Sequence, residues 1–163
     1  MIFRDSTVED AQGIAALVGA VSSERRFLAG TEGFSTEDTR AFIASLHPAG
    51  GVQVVAVDSG EIVGWCDICP HPNEGMKHAG RLGMGVRKDY RGKGVGRKLL
   101  ETAVHRTLTS AVERIELEVF ASNQAAIRLY ESFGFALEGR KIGARKIDGS
   151  IDDVLLYAKH RQV

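Results

Sequence analysis

The chain has 163 residues, of which 44% are hydrophobic and 26% are charged. These values are typical of a globular protein, so we expect a single domain over residues 1–163 rather than a disordered chain. The 21 basic residues balance the 21 acidic ones, which argues against a global field that attracts nucleic acid, and no apolar run is long enough for a membrane helix.

The first third of the chain predicts a strand, two helices and a hairpin. Ser6 and Glu9 have the spacing of a capping box, which predicts the start of the first helix. Residues 27–34 are expected to form a loop, because two glycines and no helical period occur there. The predicted elements are a strand at 2–5, a helix at about 8–21, a helix from 35 that Pro48 ends, and strands at 52–57 and 61–68.

The rest of the chain alternates strands and helices. The predicted elements are a strand at 78–86, a helix at about 95–111, a strand at 114–120, a helix at 123–133, and strands at about 135–146 and 151–159. Gly134 is placed to end the second of these helices in a left-handed conformation. This order of elements predicts an α/β or α+β protein with a largely antiparallel sheet.

A glycine-rich segment lies where the strand at 78–86 leads into the next helix. Glycines at its centre let successive backbone N–H groups approach a ligand, and the helix N-terminus adds partial positive charge. The glycines are Gly92, Gly94 and Gly96, and the surrounding basic residues are Arg87, Lys88, Arg91, Lys93, Arg97 and Lys98. The segment therefore predicts an anion site suited to a pyrophosphate, although its spacing fits neither a Walker loop nor a dinucleotide fingerprint.

Two motifs resemble the GNAT superfamily of N-acetyltransferases. Arg91-x-x-Gly94-x-Gly96 resembles its coenzyme A signature, [QR]-x-x-G-x-[GA], and we call residues 91–97 the glycine turn. Residues 123–135, N-x-x-A-I-x-L-Y-x-x-x-G-F, are similar to the second conserved block of the family. The resemblance covers about residues 50–160 best.

The resemblance implies a fold and a co-substrate. The expected GNAT fold has a mixed, mostly antiparallel central sheet of about seven strands, flanked by about four helices. One splayed pair of strands is expected to hold acetyl-CoA, with the backbone of Met84 and Val86 binding the pantetheine arm and Asn123 reaching it. The backbone N–H groups expected to hold the pyrophosphate belong to Arg91, Gly92, Lys93, Gly94, Val95, Gly96 and Arg97.

The reaction implied by the resemblance is acetyl transfer to an amine, which needs a base to remove a proton and an acid for the leaving thiolate. Tyr130 aligns with the family's acid. Glu118 matches the base of the ribosomal-protein N-terminal acetyltransferases, which the chain resembles at this point. His78, Asp67 or a chain of waters are alternatives, because Leu82–Gly85 lacks the glutamate that many members carry there.

The acceptor is predicted less directly. Phe27 and Phe34 lie in the loop that covers the acceptor in the family, and His78 is a third candidate contact. A small amine or amino acid is the first expectation, a peptide or protein amine the second, and a non-catalytic acyl-CoA-binding sensor the third. Homodimerisation is an expectation from the family alone.

The two cysteines, Cys66 and Cys69, do not predict a metal site. Residues three apart on a strand point to opposite faces, and a structural zinc site needs four ligands. We therefore expect no metal. The resemblance implies a direct transfer without an acyl-cysteine, and neither cysteine lies near the glycine turn or Asn123 in the sequence. The charged N-terminus is a poor signal peptide, which favours a cytoplasmic location. From the balanced charge and the short apolar runs, we expect neither a nucleic-acid nor a membrane partner.

Overall fold

The computed structural model describes residues 1–162. Its strands are β1 (Ile2–Asp5), β2 (Val52–Asp58), β3 (Glu61–Pro70), β4 (Ala79–Val86), β5 (Arg114–Phe120), β6 (Ala136–Ile147) and β7 (Ser150–His160). Its helices are α1 (Ala11–Ser23), α2 (Thr36–Leu46), α3 (Val95–Thr107) and α4 (Gln124–Ser132). The predicted order of strands and helices is confirmed.

The strands form one mixed sheet in the order β1-β2-β3-β4-β5-β7-β6. Every neighbouring pair is antiparallel except β4 and β5, which run parallel. The predicted fold class, a mostly antiparallel mixed sheet with helices around it, is therefore confirmed. Within residues 1–162, no helix has the length and apolar character needed to cross a bilayer.

The start of the first helix differs from the prediction. Thr7, not Ser6, is the capping residue, and the Asp10 carboxylate accepts a hydrogen bond from the Thr7 N–H at 2.8 Å. One 3₁₀ turn at Val8–Asp10 then leads into α1. Ser6 is instead buried, and its backbone N–H donates to Gln53 on β2. This bond keeps Ser6 in the extended segment beside β2, so the cap falls one residue later, on Thr7.

The third helix ends earlier than expected, at Thr107 rather than Ala111. The hydroxyls of Thr107, Thr109 and Ser110 each donate to a backbone carbonyl three or four residues earlier. Side-chain bonds of this kind compete with helix continuation. The predicted extension of this helix to about residue 111 was therefore wrong.

The sheet separates two apolar clusters. The larger one contains the inner residues of α3 and α4 together with Cys66 and Leu117, and we call this side of the sheet the α3 face. The smaller one joins α1 and α2 to Val55 and Trp65, on the side that we call the α1 face. Because alternate strand residues point to opposite sides, Asp67 shares the α1 face with Trp65.

The parallel pair in the middle of the sheet is short. β4 and β5 are in register only from Ala79 to Arg81, opposite Arg114 to Glu116. From Leu82 onward β4 keeps β3 as a partner, but no strand within residues 1–162 pairs with its other edge. The predicted splayed strand pair is thus present, and it opens a gap that points toward the start of α3.

Candidate active site

A cavity of about 540 Å³ fills the gap between the splayed strands. Its walls are the ends of β4 and β5, the glycine turn and the first turns of α4. Residues predicted from the sequence that line it are Phe27, Met84, Val86, Arg91, Gly92, Gly94, Gly96, Arg97, Glu118, Asn123 and Tyr130. The structure therefore brings together most of the candidate site from segments far apart in the chain.

The free edge of β4 presents backbone groups to this cavity. The N–H of Arg87 donates to Val63 and the N–H of His71 to Ala79, so the odd-numbered residues of β4 bond toward β3. The backbone groups of even-numbered residues then point to the opposite edge, into the gap. Met84 and Val86 are among these residues, as the resemblance implies for an extended ligand arm.

The glycine turn adopts a conformation that needs glycine. Gly92 and Gly94 have φ angles of +73° and +83°, which L side chains rarely adopt. Gly94 precedes α3, and the first intrahelical bond runs from the N–H of Lys98 to its carbonyl. The N–H groups of the preceding residues have no partner inside the helix, so they form an anion cradle at the positive end of its dipole.

The side chain of Arg91 is engaged with the protein itself. Its Nε donates to the Val86 carbonyl at 2.8 Å, and its two terminal nitrogens donate to Glu24 at 2.8 and 2.6 Å. The guanidinium also lies 4.8 Å from the ring centre of Phe27. Arg91 thus fixes the shape of the glycine turn, and its guanidinium is neutralised by Glu24.

Asn123 lies at the entrance to α4. Its side-chain oxygen accepts a hydrogen bond from the N–H of Ala126 at 3.3 Å and caps the helix. This bond leaves the amide NH₂ of Asn123 without a partner among residues 1–162. Since the residue lines the cavity, the NH₂ group is a donor available to a bound molecule.

Tyr130 is 7% exposed and lies on α4 against the α3 face. Its ring meets Phe135 edge to face, with 5.9 Å between the ring centres. Burial raises the pKa of Tyr130 well above its ordinary value, and the nearby Cys66 thiol adds to this shift. The phenol therefore keeps its proton, and its oxygen makes no hydrogen bond within the described residues.

Glu118 lies on β5 and lines the cavity from the α1 face. Its carboxylate forms an ion pair with Lys141 on β6 at 2.8 Å. The side chains of both residues are about half exposed, at 50% and 52%. Glu118 is therefore present at the predicted place, and it already holds a cation.

Asp67 is a second carboxyl near the cavity, one strand away from its wall. The residue pairs in register with Gly83 of β4, which lines the cavity. Burial raises the pKa of Asp67 to about 7, although hydrogen bonds from Gln53 and Trp65 oppose the shift. This carboxyl group is the one near the gap whose pKa lies close to neutrality.

Several candidates lie outside the cavity lining. Lys93 is exposed and its ammonium lies 5.6 Å from the Tyr90 ring centre, while the Val95 side chain is buried in the core. Phe34 is 71% exposed, away from the lining. His78 is exposed just before β4, about 16 Å of strand from Gly83, so the structure does not bring it to the site.

The two cysteines occupy opposite faces of β3. Cys66 is fully buried on the α3 face, and burial raises the pKa of its thiol well above the ordinary value. Cys69 is partly buried, and burial also raises the pKa of its thiol. Neither residue lines the cavity, so neither sulfur is placed to meet a thioester there.

Other contributors were not identified from the sequence. Val21 and Leu28 complete the wall near Phe27, and Glu24 pairs with Arg91. The end of the first helix carries these residues without a distinctive motif. An acid following an apolar helix was the only available signal, and it does not specify a partner.

Comparison with known proteins agrees with this architecture. The model of the acetyltransferase (GNAT) family matches residues 20–135. The L-amino acid N-acetyltransferase AaaT of Escherichia coli (strain K12) is 32% identical over 88 residues, which cover 53% of this chain and 54% of that protein. The chain spans about half the length of curated relatives such as this one.

Solved structures match over nearly the whole chain. The acetyltransferase of the GNAT family from Streptococcus pneumoniae is 28% identical, with a TM-score of 0.92 and coverage of 98% of both chains. The structure of yncA from Salmonella typhimurium with its cofactor acetyl-CoA has a TM-score of 0.94 at 18% identity, covering 100% of this chain and 95% of that one. The second likeness is one of fold.

The family model covers well over half of the chain, from α1 to the end of α4. The splayed strands, the glycine turn and the capped helix after β5 occur within or beside that match. On these grounds the chain belongs to the acetyltransferase (GNAT) family.

Proposed function

We propose that the protein transfers the acetyl group of acetyl-CoA to a primary amine by direct attack within a ternary complex. The observation that carries the proposal is the cavity between β4 and β5, which combines a free strand edge, an anion cradle and a buried tyrosine. Each of these three parts matches one chemical requirement of the transfer.

The donor groups fit acetyl-CoA. An extended arm can add to the free edge of β4 as a further strand, through the backbone of Met84 and the N–H of Val86. The Val86 carbonyl is less available, because Arg91 donates to it. The N–H groups of residues 92–97 suit a pyrophosphate, whereas the N–H of Arg91 donates to the Lys88 carbonyl at 3.4 Å. The free NH₂ of Asn123 suits a carbonyl of the arm.

Tyr130 supplies the acid in this proposal. Its burial keeps the phenol protonated at neutral pH, and its oxygen has no competing hydrogen bond among the described residues. A proton delivered to the leaving sulfur lowers the barrier to breaking the C–S bond. Glu118, predicted as the base, lies at the same cavity on the opposite strand.

A small amine or amino acid is the proposed acceptor. The supporting observations are the modest cavity and the similarity to an L-amino acid N-acetyltransferase. A peptide amine is the second candidate, because the segment around Glu118 resembles ribosomal-protein N-terminal acetyltransferases. The proposal further includes a cytoplasmic homodimer, for which the exposed Ile142 and Ile151 of the β6–β7 hairpin offer an apolar contact.

The test is CoA thiol release from acetyl-CoA with L-amino acids, polyamines, aminoglycosides and short peptides as acceptors. Release with one amine class supports the proposal and identifies the acceptor chemistry. Absence of release with every acceptor, while acetyl-CoA still raises the melting temperature, contradicts it and indicates an acyl-CoA-binding sensor. Mass spectrometry of the product distinguishes N-acetylation from hydrolysis of the thioester.

A further inference from the structure

We propose that Asp67 is the general base of the reaction, and that it occupies the place of the side chain that Gly83 lacks. The inference rests on the proposed function, since it assigns the group that removes the proton from the attacking amine. It replaces Glu118 in that role and gives Glu118 a different one. The order of residues across the α1 face supports this assignment of roles.

One row of residues crosses the sheet at this level. Gln53 of β2 is the register partner of Asp67, and Asp67 is the partner of Gly83. The last β4–β5 register pair is Arg81 with Glu116. Gly83 and Glu118 lie two residues further on, on the two walls of the gap, so Asp67 and Glu118 lie on either side of Gly83 on the α1 face.

The missing side chain of Gly83 makes room for Asp67. A Cβ atom built on Gly83 would lie 3.4 Å from the Asp67 Oδ1 and 4.0 Å from its Oδ2. The carboxyl group thus covers the position where a longer residue of β4 would begin. Gly83 itself lines the cavity, so Asp67 lies directly beside a lining residue that has no side chain to cover it.

The surroundings of Asp67 suit a group that gains and loses a proton. Gln53 is 2% exposed, and its Oε1 has no hydrogen-bond partner among residues 1–162. An amide offers both donors and an acceptor, so Gln53 can bind an ionised Asp67 through N–H and a protonated one through oxygen. A buried acceptor without a donor is costly, and protonation of Asp67 supplies that donor.

Glu118 is less suited to remove a proton. Its carboxylate binds the Lys141 ammonium at 2.8 Å, and half of its side chain faces solvent. To accept a proton from the acceptor, this carboxylate would first have to leave the Lys141 ammonium. The structure assigns Glu118 to positioning the acceptor amine beside Asp67, through its negative charge.

The proposed step balances protons and electron pairs. The Asp67 carboxylate accepts one proton from the acceptor ammonium, and the freed nitrogen lone pair forms the C–N bond to the acetyl carbon. The C–S bond breaks, and its electron pair takes the Tyr130 proton. The proton left on the amide nitrogen restores the Tyr130 phenol, and Asp67 releases its proton to solvent.

The experiment compares four variants with wild type, three at Asp67 and Gly83 and the fourth Glu118→Gln, using the amine of the panel above that wild type acetylates fastest. We expect Asp67→Asn to lower kcat by about 10²-fold or more while acetyl-CoA still raises the melting temperature. Asp67→Ala should be equally impaired. Adding Gly83→Glu to Asp67→Ala should restore at least about tenfold of the loss, because it returns a carboxylate to the same place.

Gly83 does not have a positive φ, so its backbone accepts a glutamate. The inference is overturned if Asp67→Asn retains the wild-type kcat, whatever the effect of Glu118→Gln, or if the double variant folds and recovers nothing. Wild type that releases no CoA with any amine instead contradicts the proposed function, before any variant is compared. The two failures are therefore distinguishable.

Discussion

Arg91 and Glu24 form a bidentate ion pair, with nitrogen–oxygen distances of 2.6 and 2.8 Å, across 67 positions of the sequence. The pair ties the glycine turn to the end of α1. Because the same guanidinium holds the Val86 carbonyl, one side chain joins three segments of the cavity wall. The shape of the glycine turn therefore depends on Glu24, a residue that lies outside the turn and outside the cavity lining.

Glu24→Gln is expected to weaken acetyl-CoA binding. The substitution leaves the Arg91 guanidinium with a neutral partner and loosens the glycine turn. Loss of a charged hydrogen bond of this kind corresponds to about a tenfold rise in the KM for acetyl-CoA, with kcat little changed. Steady-state kinetics would measure both, and Glu37→Gln on the exposed start of α2 is the matched control. An unchanged KM would contradict the assigned role.

Tyr130→Phe is expected to lower kcat by about 10²-fold, since it removes the proton for the leaving thiolate. The ring and its contact with Phe135 remain, so the melting temperature and the affinity for acetyl-CoA should stay close to wild type. Binding is measured by titration calorimetry alongside the kinetics. A variant with wild-type kcat would exclude Tyr130 from the mechanism.

Asp67→Asn is expected to stabilise the protein at alkaline pH. Burial raises the pKa of Asp67 from 3.8 to about 7, so the folded state binds this proton more tightly than the unfolded state. The contribution to stability is complete below about pH 4 and is lost as the pH rises through about 7. Asparagine has no charge to bury, so it avoids this loss.

Thermal melts at pH 5 and pH 8 would test this stability difference. The variant should melt above wild type at pH 8, and the gap should shrink at pH 5, each kcal/mol corresponding to about 2–4 °C for a chain of this size. A melting temperature that falls equally at both pH values would show that the carboxyl is structural. Loss of activity together with gained stability is the expected result for a catalytic group.

Replacing both cysteines, Cys66→Ala with Cys69→Ala, is expected to leave kcat close to wild type. Neither sulfur lines the cavity, and burial keeps the Cys66 thiol protonated. Intact-protein mass spectrometry after incubation with acetyl-CoA should show no acetyl adduct on wild type. An adduct that the double variant lacks would establish a covalent route.

Local signals were enough to predict the order of elements and the position of the glycine turn before α3. Gly134 ends α4 with a φ of +83°, as its position after an amphipathic run predicts. The glycine turn combined basic residues, glycines and a helix start in one short segment. Signals of this kind lie within a few residues of each other, and the structure preserves them.

Contacts between distant segments could not be predicted in the same way. The pairing of Glu24 with Arg91 and the placement of Asp67 over Gly83 both depend on strand register and on the packing of α1. Ser6 and His78 show the same limit. Ser6 lies one residue before the actual helix cap, and His78 lies at the far end of β4 from the cavity. Their spacing in sequence does not report which edge of the sheet they reach.

The short register between β4 and β5 has a mechanical consequence. Among residues 1–162, the strand register between the sheet half formed by β1–β4 and the half formed by β5–β7 is limited to Ala79–Arg81 with Arg114–Glu116. The two halves of the sheet are therefore weakly paired at β4 and β5. A ligand that bonds to both strands would link the two halves. Ligand binding in this gap shifts the folding equilibrium toward the native state, increasingly so at higher ligand concentration. Hydrogen exchange along Leu82–Val86 should therefore slow when the co-substrate binds, before any chemistry occurs.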